Sequence, residues 1–364
     1  MESKNFIPKR KIIHKQKKLK TKTKANKQFN YGLALLKSIL AFLVVIRHNF
    51  DPRSTKNKII LKITSRNILF HVPSFFIMSF YFMYKNLLSL NPKIILNRLM
   101  RLLIPYIGWP IIILKMNHFW NKKYITKLPD SYEELKLQLL WGHNYSTQFW
   151  FLWNLIAITI LFTLIIFIFR KHFLFIFYLV SLLFYIIQYS GYNYKNILIK
   201  YGTGGKGRTF AFFFETLPFS VTGFSLGYFK IIDLLQKYRI KTVILSVIIY
   251  YVIENYNIFT IIKGSNYQGI EINLKSTCLF IIFCLFPSNI IKNRYISKFL
   301  IAITNYTAGV YYLHFSIRYY LREYFDDVKK GTFKGIIITY VICYFISFIG
   351  MLIFGTTPLK YLFC

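Results

Sequence analysis

Two basic side chains in the first apolar segment are spaced so that they share one face of a helix. Lys37 and His48 are eleven residues apart, so at 100° per residue their directions differ by only about 20°, and they stand roughly 16 Å apart along the axis. Ionisable groups inside a bilayer cost several kcal/mol each, which makes both candidates for function. A lysine that snorkels to the surface and a histidine at the interface would explain the same spacing.

The third apolar segment begins with two arginines. Arg98 and Arg101 are three residues apart and therefore lie on one face of a helix. Guanidinium groups at a helix N-terminus bind phosphate well, because forked hydrogen bonds add to the favourable end of the helix dipole. The pair predicts a site for a phosphate-rich cytoplasmic donor, and simple anchoring of the helix by positive charge is the alternative.

Three histidines fall at one predicted depth on separate segments: His48, His71 and His314. A neutral imidazole is a suitable general base for a hydroxyl group. A single histidine in a membrane is commonly structural, but three at one depth indicate a site. Glu215 and Glu254 are the two clear carboxylates within apolar segments, and each needs either a cation as partner or a bound proton. They are expected to pair with the basic groups or to hold helices together.

The composition of the 364-residue chain is that of a membrane protein. Hydrophobic residues make up 55% of it and charged residues only 16%, whereas soluble domains carry about 25% charged residues. The mean hydropathy of +0.41 agrees. The apolar segments follow one another so closely that the whole chain beyond its first residues is expected to form one membrane domain.

Charge and cysteine placement argue against two other classes of protein. The net charge of +36 is spread over every connecting segment, so a nucleic-acid-binding patch is not expected. The four cysteines, at positions 278, 284, 343 and 364, have neither metal-ligand spacing nor the pattern of a disulfide framework. No metal is expected.

The apolar segments predict an all-α, polytopic integral membrane protein with about ten transmembrane helices, since a span needs roughly 17–25 mainly apolar residues. The helices are expected near 31–50, 68–85, 98–116, 148–169, 172–190, 209–229, 241–262, 274–291, 299–317 and 333–356. Residues 1–30 contain 11 Lys and Arg and are expected to form a disordered cytoplasmic tail, followed by a transmembrane domain over 31–360. The membrane would be the plasma membrane or an endomembrane.

Several of these residues resemble the motifs of the acyltransferase 3 family, whose members are multi-spanning membrane enzymes that modify sugars and other hydroxyl acceptors. The family shows a basic residue, ten intervening residues and a histidine in its first helix, as do Lys37 and His48. It shows two arginines separated by two residues at its third helix, as do Arg98 and Arg101. Two motifs therefore occur on the expected helices.

Two further motifs are similar to the family's. The sugar-modifying branch has a motif similar to His-Met-Pro-Leu-Phe-Phe at its second helix, and residues 71–76 of this chain are His-Val-Pro-Ser-Phe-Phe. Near its end the family has Tyr, two residues and His, matched by Tyr311 and His314. The resemblance runs from about residue 31 to 356. It departs at Lys37, where Arg is common. It also departs at Phe80, where Gly usually follows the serine, and this second departure is expected to alter packing beside the site.

The resemblance implies an O-acetyltransferase that moves an acyl group, expected to be acetyl, from cytoplasmic acyl-CoA to a hydroxyl of a carbohydrate or glycolipid at or across the membrane. Its expected residues are of three kinds: His48 and His314 for catalysis, Lys37, Arg98 and Arg101 for the donor, and His71, Glu215 and Tyr311 for the acceptor. His48 would remove the acceptor proton or carry the acyl group covalently. Acyl-CoA is the only cofactor-like molecule implied, and it is a substrate.

Two other functions fit a chain of ten apolar helices with buried charges. A membrane transporter or polysaccharide-export protein predicts paired broken helices in two halves, and such a pairing is not visible in the sequence. A non-catalytic scaffold or sensor predicts that His48 is dispensable.

Overall fold

In the computed structural model, residues 30–50, 70–119, 149–189, 206–256, 269–287 and 293–363 are described. Within these ranges the chain forms helices and no strand. In chain order the helices are α1 (Tyr31–Asn49), α2 (His71–Ser89), α3 (Pro92–Phe119), α4 (Trp150–Phe169), α5 (Phe173–Tyr189), α6 (Lys206–Tyr228), α7 (Ile231–Gln236), α8 (Arg239–Tyr256), α9 (Ile270–Cys284), α10 (Arg294–Leu321), α11 (Asp326–Lys330) and α12 (Phe333–Phe354), followed by a 3-10 turn at Pro358–Leu362.

The all-helical membrane architecture predicted from the sequence is confirmed. Ten described helices have 15 residues or more, and each falls on one of the predicted segments. Three of them, α1, α4 and α12, are long and apolar enough to cross a membrane, and α5 contains a shorter apolar stretch, Phe173–Ile186. The full count of ten spans stays a prediction, and the basic tail over 1–29 lies outside the described residues.

Helices α1 and α10 pack side by side and run in the same direction. Near the start of α1, the Thr304 hydroxyl donates to the Ala34 carbonyl at 3.3 Å and the Lys37 ammonium donates to the Thr304 carbonyl at 3.0 Å. Near the end of α1, the rings of His48 and His314 meet with centroids 5.2 Å apart. Both Lys37 and His48 therefore face α10, as their eleven-residue spacing predicts.

Helices α2 and α6 approach closely through two glycines. A Cβ added to Gly223 would lie 2.2 Å from the Ile77 carbonyl oxygen, and one added to Gly227 would lie 2.3 Å from the Tyr84 ring. Small residues four apart let helix backbones come together in a membrane, where helices gain little from the hydrophobic effect. The two glycines thus fix the position of α2.

The face of α2 opposite to α6 carries three residues of interest. His71, Phe75 and Ser79 are successive members of an i, i+4 series, and at 100° per residue they point roughly 120–200° away from Ile77. With Ile77 held against α6, this face is free to meet α3, α4 and α10. Contacts of Phe75 with Tyr311 and of Ser79 with Arg98 confirm that it does so.

The residues after α12 fold back between α3 and α12. The Trp109 indole donates to the Leu362 carbonyl at 2.9 Å. The Phe363 ring stacks on Phe354 at 5.9 Å and meets the edge of Trp109 at 5.7 Å. Gly350 leaves room for this ring, because a Cβ there would lie 2.4 Å from it. The segment is therefore anchored at its last two described residues.

We expect Gly223→Leu to lower the stability of the protein, because the new side chain would collide with the backbone of α2. Overpacking of this kind costs about 1–3 kcal/mol. Thermal unfolding in detergent micelles would measure the loss. Val247→Leu enlarges a side chain that is 50% exposed on α8 and is the matched control. Equal unfolding midpoints for both variants would contradict the close approach of α2 and α6.

Candidate functional site

The centre of the candidate site is a pair of histidines on two neighbouring helices. His48 is the second-last residue of α1 and is half-buried, whereas His314 lies inside α10 and is fully buried. Their ring centroids are 5.2 Å apart, and the ring planes are tilted by 40°. The parallel packing of α1 and α10 brings these two predicted catalytic residues together.

The hydrogen bonding of His314 defines which of its nitrogens is basic. Its Nδ1 lies 2.7 Å from the Tyr311 carbonyl oxygen. A carbonyl only accepts, so Nδ1 carries the proton and Nε2 has a free lone pair in the neutral ring. Nε2 is buried and has no hydrogen-bond partner within the described part of the chain. A basic nitrogen without a partner is available to take a proton from a substrate.

Arg318 joins the two helices next to this pair. Its guanidinium, one helical turn after His314, donates to the backbone carbonyl of His48. That carbonyl belongs to the last turn of α1, where carbonyls lack partners within the helix and favour a cation. Arg318 was missed by the sequence reasoning, although an arginine four residues after a motif histidine within an apolar segment is the available signal.

Aromatic side chains from three helices form a wall beside His314. The Tyr311 ring lies 6.0 Å from the His314 ring, 5.1 Å from Phe151 and 6.4 Å from Phe75, measured between centroids. His71 is buried one turn before Phe75 on the same face of α2. Of the predicted acceptor residues, Tyr311 therefore lies beside the His314 ring, and His71 lies one turn of α2 from the wall.

Arg98, which belongs to α3, contacts the same face of α2 at a point further from the histidines. Its guanidinium donates to the Ser79 hydroxyl, and its Nε is buried without a hydrogen-bond partner among the described residues. Ser79 is eight residues from His71, which corresponds to about 12 Å along a helix. Arg98 and the histidines therefore lie at two different levels along the axis of α2.

Phe80, the departure from the family pattern, does not face the arginine. Its side chain is fully buried and its ring centroid lies 4.9 Å from that of Phe162 on α4. The departure at Phe80 therefore affects the contact between α2 and α4. The hydroxyl of Ser79 remains directed to Arg98.

The other two residues predicted to bind the donor, Arg101 and Lys37, contact different parts of the protein. Arg101 is exposed, and its guanidinium carbon lies 5.3 Å from the centroid of the Tyr361 ring, in the segment after α12. Lys37 is half-buried and donates to the Thr304 carbonyl. The prediction that the two arginines lie at a helix N-terminus is wrong, because α3 begins at Pro92 and both lie beyond its first turn. Arg98 is directed to α2 and Arg101 to the C-terminal segment.

The two glutamates in predicted apolar segments have different environments. Glu215 is buried in α6, with 1% of its surface exposed. Glu254 forms an ion pair of 2.8 Å with Lys275, which forms a second ion pair of 2.8 Å with Glu271. Of the two predicted alternatives for Glu254, a cation partner or a bound proton, the structure provides the cation. This cation comes from α9, and the triad joins α8 to α9.

A family model described as an acyltransferase domain matches residues 30–356 of the chain. The match begins at the residue that caps α1 and ends two residues after α12. It therefore contains the histidine pair, both arginines and the aromatic wall. No curated protein and no solved structure matches the chain.

We expect Lys275→Met to be strongly destabilising. The ammonium is the cation shared by two carboxylates whose side chains are only 16% and 17% exposed, and removing one partner of a buried ion pair costs about 3–5 kcal/mol. Replacing Glu254 and Glu271 by Gln in the same variant should recover much of the loss. Thermal unfolding in detergent would measure both effects.

Lys334→Met is the matched control for this prediction. Lys334 pairs with Asp327 at 3.0 Å, but its side chain is 76% exposed, and surface ion pairs contribute about 0–1 kcal/mol. If the two lysine variants lowered the unfolding midpoint equally, the triad would have no special role in holding α8 against α9.

Proposed function

The chain belongs to the acyltransferase 3 family, and on this basis we propose that it moves an acyl group, expected to be acetyl, from acyl-CoA to a hydroxyl of a carbohydrate or glycolipid. Membership of the family supports a membrane acyltransferase. The single observation that carries the finer proposal is the histidine pair, in which the Nε2 atom of the buried His314 is basic and has no partner among the described residues.

The proposed reaction uses one imidazole as the base. His48, the more accessible ring, removes the proton of the acceptor hydroxyl. His314, the second basic group of the pair, assists this proton transfer. The hydroxyl oxygen attacks the thioester carbonyl, the C–S bond breaks, and the CoA thiolate takes up the proton. In the alternative, the His48 imidazole attacks the thioester carbonyl, the C–S bond breaks and CoA leaves as the thiol with the imidazole proton; the acceptor hydroxyl then attacks the acyl-imidazole and its proton passes to His48.

The donor is proposed to enter from the arginine end. Arg98 and Arg101 would bind the phosphates of CoA by forked hydrogen bonds, and Lys37 would add a third positive charge at the corresponding end of α1. Arg98 lies about 12 Å from the histidine level along α2. An extended thioester arm suits this separation, because its phosphates and its reacting carbonyl are far apart.

The acceptor is proposed to bind beside the aromatic wall. Binding sites for small molecules are lined mainly by apolar and aromatic side chains with a few polar groups, and Tyr311 and His71 supply both kinds. Glu215 is the proposed third acceptor residue, as a buried carboxylate able to accept hydrogen bonds from hydroxyl groups.

We propose that all ten long helices cross the bilayer and that the N-terminus is cytoplasmic. Helices α1 and α10 are the first and ninth of the ten long helices, and such a topology requires them to run in the same direction. Their shared direction supports the count. The arginine end would then face the cytoplasm, where acyl-CoA is available.

We expect His48→Ala and His314→Asn to lower kcat by roughly 10²–10⁴-fold, the usual contribution of a general base. Asn at position 314 keeps an N–H donor for the Tyr311 carbonyl but lacks the basic Nε2. Arg98→Ala should instead raise KM for acetyl-CoA. The assay is CoA release and transfer of labelled acetyl to a panel of glycans and glycolipids by the purified protein.

His172→Asn makes the same exchange at an exposed histidine between α4 and α5 and is the control. If His48→Ala and His314→Asn both released CoA at the wild-type rate, the histidine pair would not be the catalytic site. A scaffold or transport function would then be favoured.

A further inference from the structure

The C-terminal segment places an aromatic ring and a second cation beside Arg101. The guanidinium carbon of Arg101 lies 5.3 Å from the centroid of the Tyr361 ring, and the ammonium of Lys360 lies 5.5 Å from the same centroid. Arg101 is exposed, and Lys360 and Tyr361 are half-buried. One ring and two cations thus form a small group at the surface.

The position of Tyr361 is fixed by its neighbours. Leu362 and Phe363, the next two residues, are buried, and the Leu362 carbonyl accepts the indole N–H of Trp109. Gly108 gives Leu362 room, because a Cβ there would lie 2.8 Å from its side chain. Trp109 and Gly108 belong to α3, the helix that carries both arginines. The segment that carries the ring therefore packs directly on the helix that carries the arginines.

We propose that Tyr361, Lys360 and Arg101 bind the nucleotide part of the acyl-CoA donor, an inference that rests on the proposed function. Arginine planes and aromatic rings stack on nucleobases, and the guanidinium and ammonium pair with phosphate oxygens. A lipid headgroup would need only the two charges, whereas an adenine base also uses the ring and the guanidinium plane. This combination favours a nucleotide.

The two arginines differ in exposure and in the neighbour they contact, and this assigns a different part of the donor to each. Arg101 is exposed beside the ring, and Arg98, three residues earlier, is half-buried with its guanidinium directed to Ser79 on α2. The adenine and its nearest phosphate lie at Arg101 and Tyr361. The phosphate nearer to the thioester arm lies at Arg98, on the face of α2 that leads to the histidines.

The test compares two donors that differ only in the nucleotide. Loss of base stacking weakens binding by about 1–3 kcal/mol, or roughly 5–150-fold. We expect Tyr361→Leu to lower kcat/KM with acetyl-CoA by that factor and to have a much smaller effect with S-acetylpantetheine, which has no nucleotide. Tyr361→Phe keeps the ring and should restore most of the acetyl-CoA activity.

Direct binding separates the possible failures. In the wild type, 3′,5′-ADP should compete with CoA in calorimetry, and Tyr361→Leu and Lys360→Met should each weaken CoA binding. Equal losses of activity with both donors would overturn the nucleotide site. Unchanged or tighter CoA binding by Tyr361→Leu would also overturn it, because the ring would then shield Arg101 from the donor. A wild-type protein that binds no CoA would overturn the proposed function itself.

Discussion

A polar group in the hydrocarbon region of a bilayer must find its partner within the protein, since no water is there to supply one. The contact between α1 and α10 meets this requirement with backbone carbonyls. Lys37 donates to the Thr304 carbonyl at one end of the contact, and Arg318 donates to the His48 carbonyl at the other. Each bond joins a cation of one helix to the backbone of the other, and together they set the register that brings His48 beside His314.

The rest of the site depends on that register and on the position of α2. Gly223 and Gly227 hold one face of α2 against α6, which leaves the opposite face to span the distance between Arg98 and the aromatic wall. Serine, phenylalanine and histidine follow one another along this face at intervals of one turn. The two helix contacts therefore place the Arg98 guanidinium at one end of this face and the imidazoles at the other.

The sequence predicted features that depend on one helix at a time. The ten helices follow from apolar length, and the shared face of Lys37 and His48 follows from helical periodicity. Pairings between distant segments, such as Lys275 with Glu254 or Arg101 with Tyr361, depend on how helices are arranged. Helix α3 was predicted too short, over 98–116, although it spans Pro92–Phe119 with Pro105 and Pro110 inside it. Neighbouring groups let membrane helices tolerate such prolines.

Among the described residues, the hydrogen bonding of His314 is incomplete. The Nδ1 proton is satisfied by the Tyr311 carbonyl within the same helix. Leaving Nε2 buried without a partner among those residues costs about 1–3 kcal/mol, and a leucine at the same position of α10 would avoid that cost. A histidine that stabilises the fold poorly but places a basic ring beside the ring of His48 is what the proposed chemistry on a bound hydroxyl group requires.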